Sequence, residues 1–365
     1  MKAECTKDAL RNGVQQAERM TGKNLSLPVL GGILFSAQGN TLTLRATNLD
    51  FGIEIRIPAK IDGEFSAVVP GNILSGILSA VSDGKITLDM ANENLTLSTL
   101  NTKSVVKCLP SDDFPTLPTI SGAESFTVSA QKFIDGVKSV WYSASVSDMK
   151  PEIASIYIYP ENEDMVFAAT DSFRLAEKKI AIKKNAEFSR ILIPYKNMVE
   201  MLRVFEGLDS DMDISFNKNQ ISVSVGNIYV TSRIIDGVFP DYRQIIPKEY
   251  VTEAVMLKQD VINALKMTNL FSDKFNRVDI RVDPAKKLFE VEAKNQILGE
   301  NTTRIDAALS GKEISCGFNQ KYILDCFQAI KHESVVFRFS GIGRPLVIQG
   351  VGDGSFVYLV MPLTT

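Results

Sequence analysis

The chain of 365 residues carries the same pattern three times. Ala46-Thr47-Asn48, Ala169-Thr170-Asp171 and Ala293-Lys294-Asn295 stand 123 and 124 residues apart. Each closes an alternating, strand-like run: NTLTLRATN, DMVFAATD and KLFEVEAKN. A second probe keeps the period, since VVPGNILSGILSAV, LIPYKNMVEMLRVF and CGFNQKYILDCFQAI set Pro70, Pro194 and Phe318 at intervals of 124. An internal period constrains a fold more than any local motif, because every copy must obey one supersecondary plan.

That plan is legible from hydrophobic periodicity. Pro70, Pro194 and Phe318 each begin an amphipathic helix whose apolar stripe is Leu74, Ile77, Leu78 and Val81, then Met198, Leu202 and Phe205, then Ile323, Cys326, Phe327 and Ile330. Another helix opens each repeat, marked by Leu10, Val14 and Ala17, by Phe133, Val137, Val140 and Trp141, and by Val261 and Leu265. Short alternating strands such as KITLDM, NLTLSTL, QISVSV and SVVFRFS follow. Two helices packed on strands predict a two-layer α+β domain. Phe-Pro at 114–115 and 239–240 lies 45 and 46 residues after Pro70 and Pro194, and Pro362 lies 44 after Phe318. Proline suits an extended connector, because it fixes φ and donates no ladder hydrogen bond. The expectation is three tandem similar domains, 1–120, 121–246 and 247–365, that fill the sequence.

The inventory for chemistry is thin. His332 is the only histidine, so a Ser-His-Asp or Cys-His mechanism has one candidate base. There is no Walker loop, no G-x-G-x-x-G after a strand and no H-E-x-x-H. Cys5, Cys108, Cys316 and Cys326 show neither C-x-x-C spacing nor dense pairing, which predicts buried thiols in a reducing cytoplasm and no metal site. A net charge of −3 excludes coating nucleic acid by bulk attraction. No apolar run is long enough for a membrane span, and MKAECTKDALRNG lacks a signal-peptide core. The stretch ATDSFRLAEKK sets Asp171, Ser172 and Arg174 side by side. Read as a catalytic cluster it fails on direction, since Asp171 and Ser172, adjacent on a strand, face opposite sides. Two alternatives to a docking role stay open: a hydrolase using Asp171, Ser172 or Asp241, and a triplicated scaffold that never meets DNA.

The segments LPVLGGILF (27–35), FAATDSFRLA (167–176), DGVFPDYRQIIP (236–247), GFNQKYILD (317–325) and YLVMPL (358–363) span all three repeats. Through them the whole chain resembles the bacterial DNA polymerase III beta subunit family, the sliding clamps. The resemblance implies the DNA clamp fold, closing as a head-to-tail homodimer into a six-domain ring with strands outside and helices lining the hole. It implies processivity for a replicative polymerase without catalysis or cofactor, in the cytoplasm, at the nucleoid during replication. The partners it implies are duplex DNA held without sequence reading, the polymerase subunit, the clamp loader, and other polymerases and repair proteins bound through short peptide motifs. No membrane is involved.

Site residues follow from the same resemblance. The partner-peptide pocket is expected from Thr170, Ser172, Phe173, Arg174, Leu175, Pro240, Gln244, Ile245, Asn319, Tyr322, Pro345, Leu359, Val360, Met361 and Pro362, with Lys150 and Ile153 at the rim. Aliphatic, proline and methionine surface would take apolar anchors, while Thr170 and Arg174 fix the peptide backbone. Phe173 and Gln244 stand where histidine or tyrosine and arginine are commoner in such clamps. The DNA-facing set is Lys23, Asn24, Lys132, Lys138, Lys196, Arg203 and Lys266, with Asn24 in the place of an arginine. Val106, Leu270 and Phe271 match dimer contacts.

Overall fold

The computed structural model describes residues 1–22, 27–120, 124–182 and 188–363. Among these residues the helices are α1 (Lys7–Glu18), α2 (Gly71–Ala80), α3 (Ala130–Val140), α4 (Tyr195–Phe205), α5 (Lys258–Asn269) and α6 (Gln320–Cys326). Their stripes are core. Leu10, Val14 and Ala17 of α1, Leu74 and Leu78 of α2, Phe133 and Val137 of α3, Met198 and Phe205 of α4, Val261 and Leu265 of α5, and Ile323 and Cys326 of α6 are all buried. The helix in the third repeat opens later than the period predicts. Phe318 still belongs to strand Ile314–Asn319, and α6 begins at Gln320 because the Asn319 side chain caps it, accepting from the backbone N–H of Lys321 and Tyr322. The four cysteines are unpaired: Cys5, Cys316 and Cys326 are buried and Cys108 is half-buried. Burial pushes the Cys5 thiol up to about 11.

The chain folds as two compact units, residues 1–131 with 196–236 and residues 132–195 with 237–365. Each contains one terminal repeat and part of the middle one. In the first unit an eight-stranded sheet runs in the order Glu124–Ser129, Asp211–Phe216, Gln220–Val225, Ile228–Arg233, Phe51–Pro58, Thr41–Thr47, Gly32–Gln38, Phe65–Pro70. Middle-repeat strands become first-repeat strands where Ile228–Arg233 pairs antiparallel with Phe51–Pro58, Val230 opposite Ile53. A five-stranded sheet completes this unit and ends at Lys103–Lys107.

The second unit repeats the design. Its nine-stranded sheet crosses from the middle to the third repeat where Arg174–Ala181 pairs with Phe356–Val360, Ala176 opposite Tyr358. Its four-stranded sheet ends at Gly299–Arg304. The core is close-packed: a Cβ on Gly136 of α3 would lie 2.3 Å from the Phe167 ring, so only glycine lets that helix settle on the sheet. Phe133 meets the same ring edge-on at 5.6 Å between centroids.

The two connectors are pinned by aromatics. Phe114 is buried with Val29, Leu34 and Val68 in the first unit. In the second, Phe239 stacks on Tyr157 at 4.8 Å, and Tyr242 meets Phe239 edge-on at 5.9 Å.

Candidate functional site

One small, mainly apolar cavity of about 150 Å³ lies at the strand crossing of the second unit. Its floor follows from register, since Leu175 lies directly opposite Leu359 and both are buried. Burying each side chain is worth roughly 1.5–3 kcal/mol. The cavity has room for one apolar side chain, as a void of about that size takes a benzene ring.

One wall is the turn between strands Asp164–Thr170 and Arg174–Ala181. The Asp171 carboxylate accepts from the backbone N–H of Phe173 and of Arg174, each at 3.0 Å. Thr170 Oγ1 donates to the Arg174 carbonyl at 2.7 Å and accepts from Ser172 N at 3.2 Å. Ser172 takes φ +78°, a left-handed conformation that these bonds hold. So Asp171 and Ser172 sit in a turn rather than on opposite faces of a strand, which corrects the geometric premise of the catalytic reading. That reading fails for another reason. The second Asp171 oxygen is taken by Arg174 Nε at 2.9 Å, leaving that carboxylate no free role as a base. Among the described residues no group of three or more His, Cys, Asp or Glu is placed to hold a metal ion.

Arg174 is committed too. Its Nη1 donates to Asp325 at 2.6 Å and its guanidinium lies 4.3 Å from the centre of the Tyr322 ring. Burial opposes the charge, but Tyr358, Asp325 and Asp171 outweigh it and hold the guanidinium above its ordinary value. Thr170 and Arg174 brace the wall through these bonds and also line the cavity.

The facing wall is the connector. Tyr242–Ile245 forms a 3-10 turn, and Pro240, Asp241, Tyr242 and Ile245 line the cavity. A polar chain anchors it. The Tyr242 hydroxyl donates to the buried Glu177 carboxylate and lies 2.8 Å from the Tyr159 hydroxyl, to which Arg243 donates at 2.7 Å. Arg243 and Lys179 both bind Glu161. The Arg243 hydrogen bond is the largest cause holding that carboxyl down, at about 2. The buried Tyr242 hydroxyl is pushed well up, by burial first and by the Glu177 charge next.

Of the expected pocket residues, Ile153, Thr170, Ser172, Arg174, Leu175, Pro240, Ile245, Leu359 and Met361 line the cavity. Tyr322 borders it through Arg174. Val360 is buried opposite Arg174, and Met361 N donates to the Phe173 carbonyl at 2.8 Å, fastening the tail to the turn. Asn319 is occupied as the α6 cap, Pro345 is buried, and Pro362 is half-buried. Lys150, Phe173 and Gln244 are exposed, Gln244 donating to Asp241 at 2.5 Å. Asp241 and Tyr242 were missed, although a tyrosine directly after Phe-Pro-Asp in a polar connector was a visible signal.

The described members of the basic set belong to α3, α4 and α5. Lys23 and Asn24 lie outside the described residues. Lys132 donates to the Ala181 carbonyl at 2.8 Å, and Arg203 pairs with Glu200 at 2.5 Å. Lys138, Lys196 and Lys266 are exposed on their helices. At the C-terminal end of α5, Leu270 is 64% exposed and Phe271 is half-buried. Val106 turns its side chain inward at 5% exposure, and its neighbour Val105, at 62%, is the outward one.

Models of the N-terminal, central and C-terminal domains of the DNA polymerase III beta subunit match residues 1–118, 127–241 and 243–364. The beta sliding clamp of Staphylococcus epidermidis is 25% identical over 369 residues, 98% of each chain. That of Staphylococcus aureus is 25% identical over 350 residues, 93% of each. In three dimensions the chain is similar to the DNA polymerase III beta subunit of Thermotoga maritima, with a TM-score of 0.94 at 23% identity over 100% of this chain and 99% of that one. The sliding clamp of Bacillus subtilis gives the same values.

Proposed function

The chain belongs to the DNA polymerase III beta subunit family, the beta sliding clamps, and we propose that two copies close head to tail into a ring around duplex DNA. It is a processivity clamp and not an enzyme. A ring holds DNA by topology, so weak and mobile contacts suffice, and strong phosphate neutralisation would act as a brake. A net charge of −3 is compatible with that, provided basic groups are placed locally.

The observation that carries ring closure is a pair of unfilled strand positions. Ala46, Ala169 and Ala293 are equivalent and lie opposite Ile53, Ala176 and Asn301. Ile53 goes on to pair with Val230, and Ala176 with Tyr358. Asn301 belongs to Gly299–Arg304, the end strand of its sheet. Ser104, the counterpart of Val230 and Tyr358 in the first repeat, belongs to Lys103–Lys107, also an end strand. A second copy satisfies both ends at once, with Asn301 of one opposite Ser104 of the other, an isologous pair of contacts. Leu270, Phe271 and the outward Val105 would be covered there, while Val106 would contribute backbone. Glu300→Pro should leave a monomer by light scattering; an unchanged dimer mass would remove this register.

The cavity of the second unit is the docking site for short partner peptides in this reading. Its apolar floor, the tail at Met361 and the rigid turn support it, and two sites per ring let one partner engage twice. Polymerase, clamp loader and repair factors would share it. Lys23, Asn24, Lys132, Lys138, Lys196, Arg203 and Lys266 are the basic and polar positions proposed to face DNA. The domain limits 120/121 and 246/247 fall in the two connectors. Peptide binding is tested by fluorescence anisotropy with a labelled peptide from a polymerase tail: Leu175→Asp should abolish it, and undiminished affinity would relocate the site.

A further inference from the structure

The first unit holds a larger groove, about 620 Å³, at its own strand crossing. At its centre is Glu54, a carboxylate only 7% exposed. Arg45, directly opposite in the register, donates Nε to one Glu54 oxygen at 2.6 Å. Arg56 donates Nε to the other at 2.9 Å. Both carboxylate oxygens are thus occupied by guanidiniums of side chains that also reach solvent. An arginine carries five N–H donors, so each keeps donors that Glu54 does not use. The walls are held as well. Tyr229 donates its hydroxyl to the Pro118 carbonyl at 2.9 Å, and Asn227 donates Nδ2 to the Arg56 carbonyl at 2.8 Å.

The matching place in the second unit explains why this groove stands open. Glu177 is the repeat counterpart of Glu54, 123 residues on. There the connector covers the carboxylate with Tyr242. Counting from Phe-Pro, the residue in register with Tyr242 is Leu117, which has no hydroxyl to give. Leu117 turns onto Gly52 instead, where a Cβ would lie 2.4 Å from its Cδ2. Two arginines then neutralise Glu54, and the surface they occupy is left uncovered.

We propose that this groove binds an extended acidic peptide segment of a partner protein, at a site separate from the apolar cavity. Three features select that occupant. Two guanidiniums against one carboxylate leave a net charge of +1 among the lining side chains. Bound to a carboxylate, they are already oriented, so a second carboxylate meets donors that need little ordering. The groove has about four times the volume of the cavity in the second unit, which suits a stretch of chain rather than one anchor.

The test is fluorescence anisotropy with the full-length protein and a fluorescein-labelled octapeptide of alternating glutamate and serine, at low salt. Saturable binding is expected, with at least about tenfold weaker affinity for Arg56→Glu and little binding of the matching lysine-serine peptide. Arg56→Ala, which takes one arginine from Glu54 and leaves Arg45 in place, is the second variant should charge reversal disturb folding. An unlabelled peptide for the apolar cavity should not compete, so this result is independent of that site. Equal affinity in the Arg56 variants, no saturable binding, or displacement by a short duplex that itself binds through Arg56 would each overturn the proposal.

Discussion

The two strand crossings are built from the same turn and finish differently. In the first unit Thr47 Oγ1 donates to the Phe51 carbonyl at 2.8 Å, and Asn48 caps the N–H groups of Asp50 and Phe51. Leu49 takes φ +79°, as Ser172 takes +78°. Two residues on, the units part. The first places Phe51 and Gly52 where the second has Arg174 and Leu175. Phe51 is buried, and Leu117 fills the space over Gly52. Across the turn, Asn197 donates to the Asp50 carbonyl at 3.4 Å and to Ser232 at 2.9 Å, while its counterpart Tyr322 only stacks on Arg174. At the first crossing the connector fills the space over Gly52 and leaves the charged groove beside Glu54, whereas at the second it frames the apolar cavity. A repeated scaffold yields an apolar cavity at only one of the two crossings because a few side chains decide whether the connector fills that place or frames it.

Exchanging those side chains should break the difference. Phe51→Arg carries the largest expected effect. It removes a buried ring and buries a charge, costing on the order of 3–5 kcal/mol. Denaturant unfolding of the first unit reads this out, and the reverse change, Arg174→Phe, should cost less because Asp171 and Asp325 can hydrate. Gly52→Leu comes next. It drives out Leu117 and should cost about 1–3 kcal/mol, with Leu117→Ala restoring part of it in a double-mutant cycle; simple additivity would mean that the plug does not exist.

The buried glutamates sharpen the contrast further. Glu177→Leu takes the carboxylate acceptor from the buried Tyr242 hydroxyl, leaving it only the Tyr159 hydroxyl, and should cost roughly 1–3 kcal/mol, along with peptide affinity. Glu54→Leu leaves two arginines that reach solvent, and should cost less. Equal losses in thermal melting would contradict this ordering. The smallest effect is on pH. Glu161 is held at about 2, below its unfolded value of 4.5, by Arg243 first. Its stabilisation is fully present above about 4.5 and is lost as pH falls toward 2. Hydrogen-exchange protection at 242–246, taken relative to the intrinsic rate at each pH, should therefore fall in that window, and Glu161→Gln should flatten the profile.

The sequence exposed what recurs and concealed what differs. Helix stripes, the Phe-Pro connectors and the Thr-Asx turn repeat at a fixed period, so chance cannot imitate them. Even so, α6 opens at Gln320 because one asparagine caps it, which no periodicity encodes. Arg174 reads as a free donor until the register brings up Asp325, 151 residues away. Alternation gives Val106 a place on an edge strand but not its inward face. Tyr242 stands out after Phe-Pro-Asp, but nothing in a linear reading joins it to Glu177 and Tyr159, which only the folded connector does. Repeats fix the scaffold, whereas pocket chemistry rests on single long-range contacts.

The central claim is topological, and loading onto a circle tests it most directly. The protein is loaded by a clamp loader onto nicked circular duplex and freed of unbound protein by gel filtration. The circle is then cut once. The account predicts that protein stays with the intact circle and leaves the linear form, sliding off its ends. Retention that is unchanged by cutting would mean attachment by contact, and would contradict a ring.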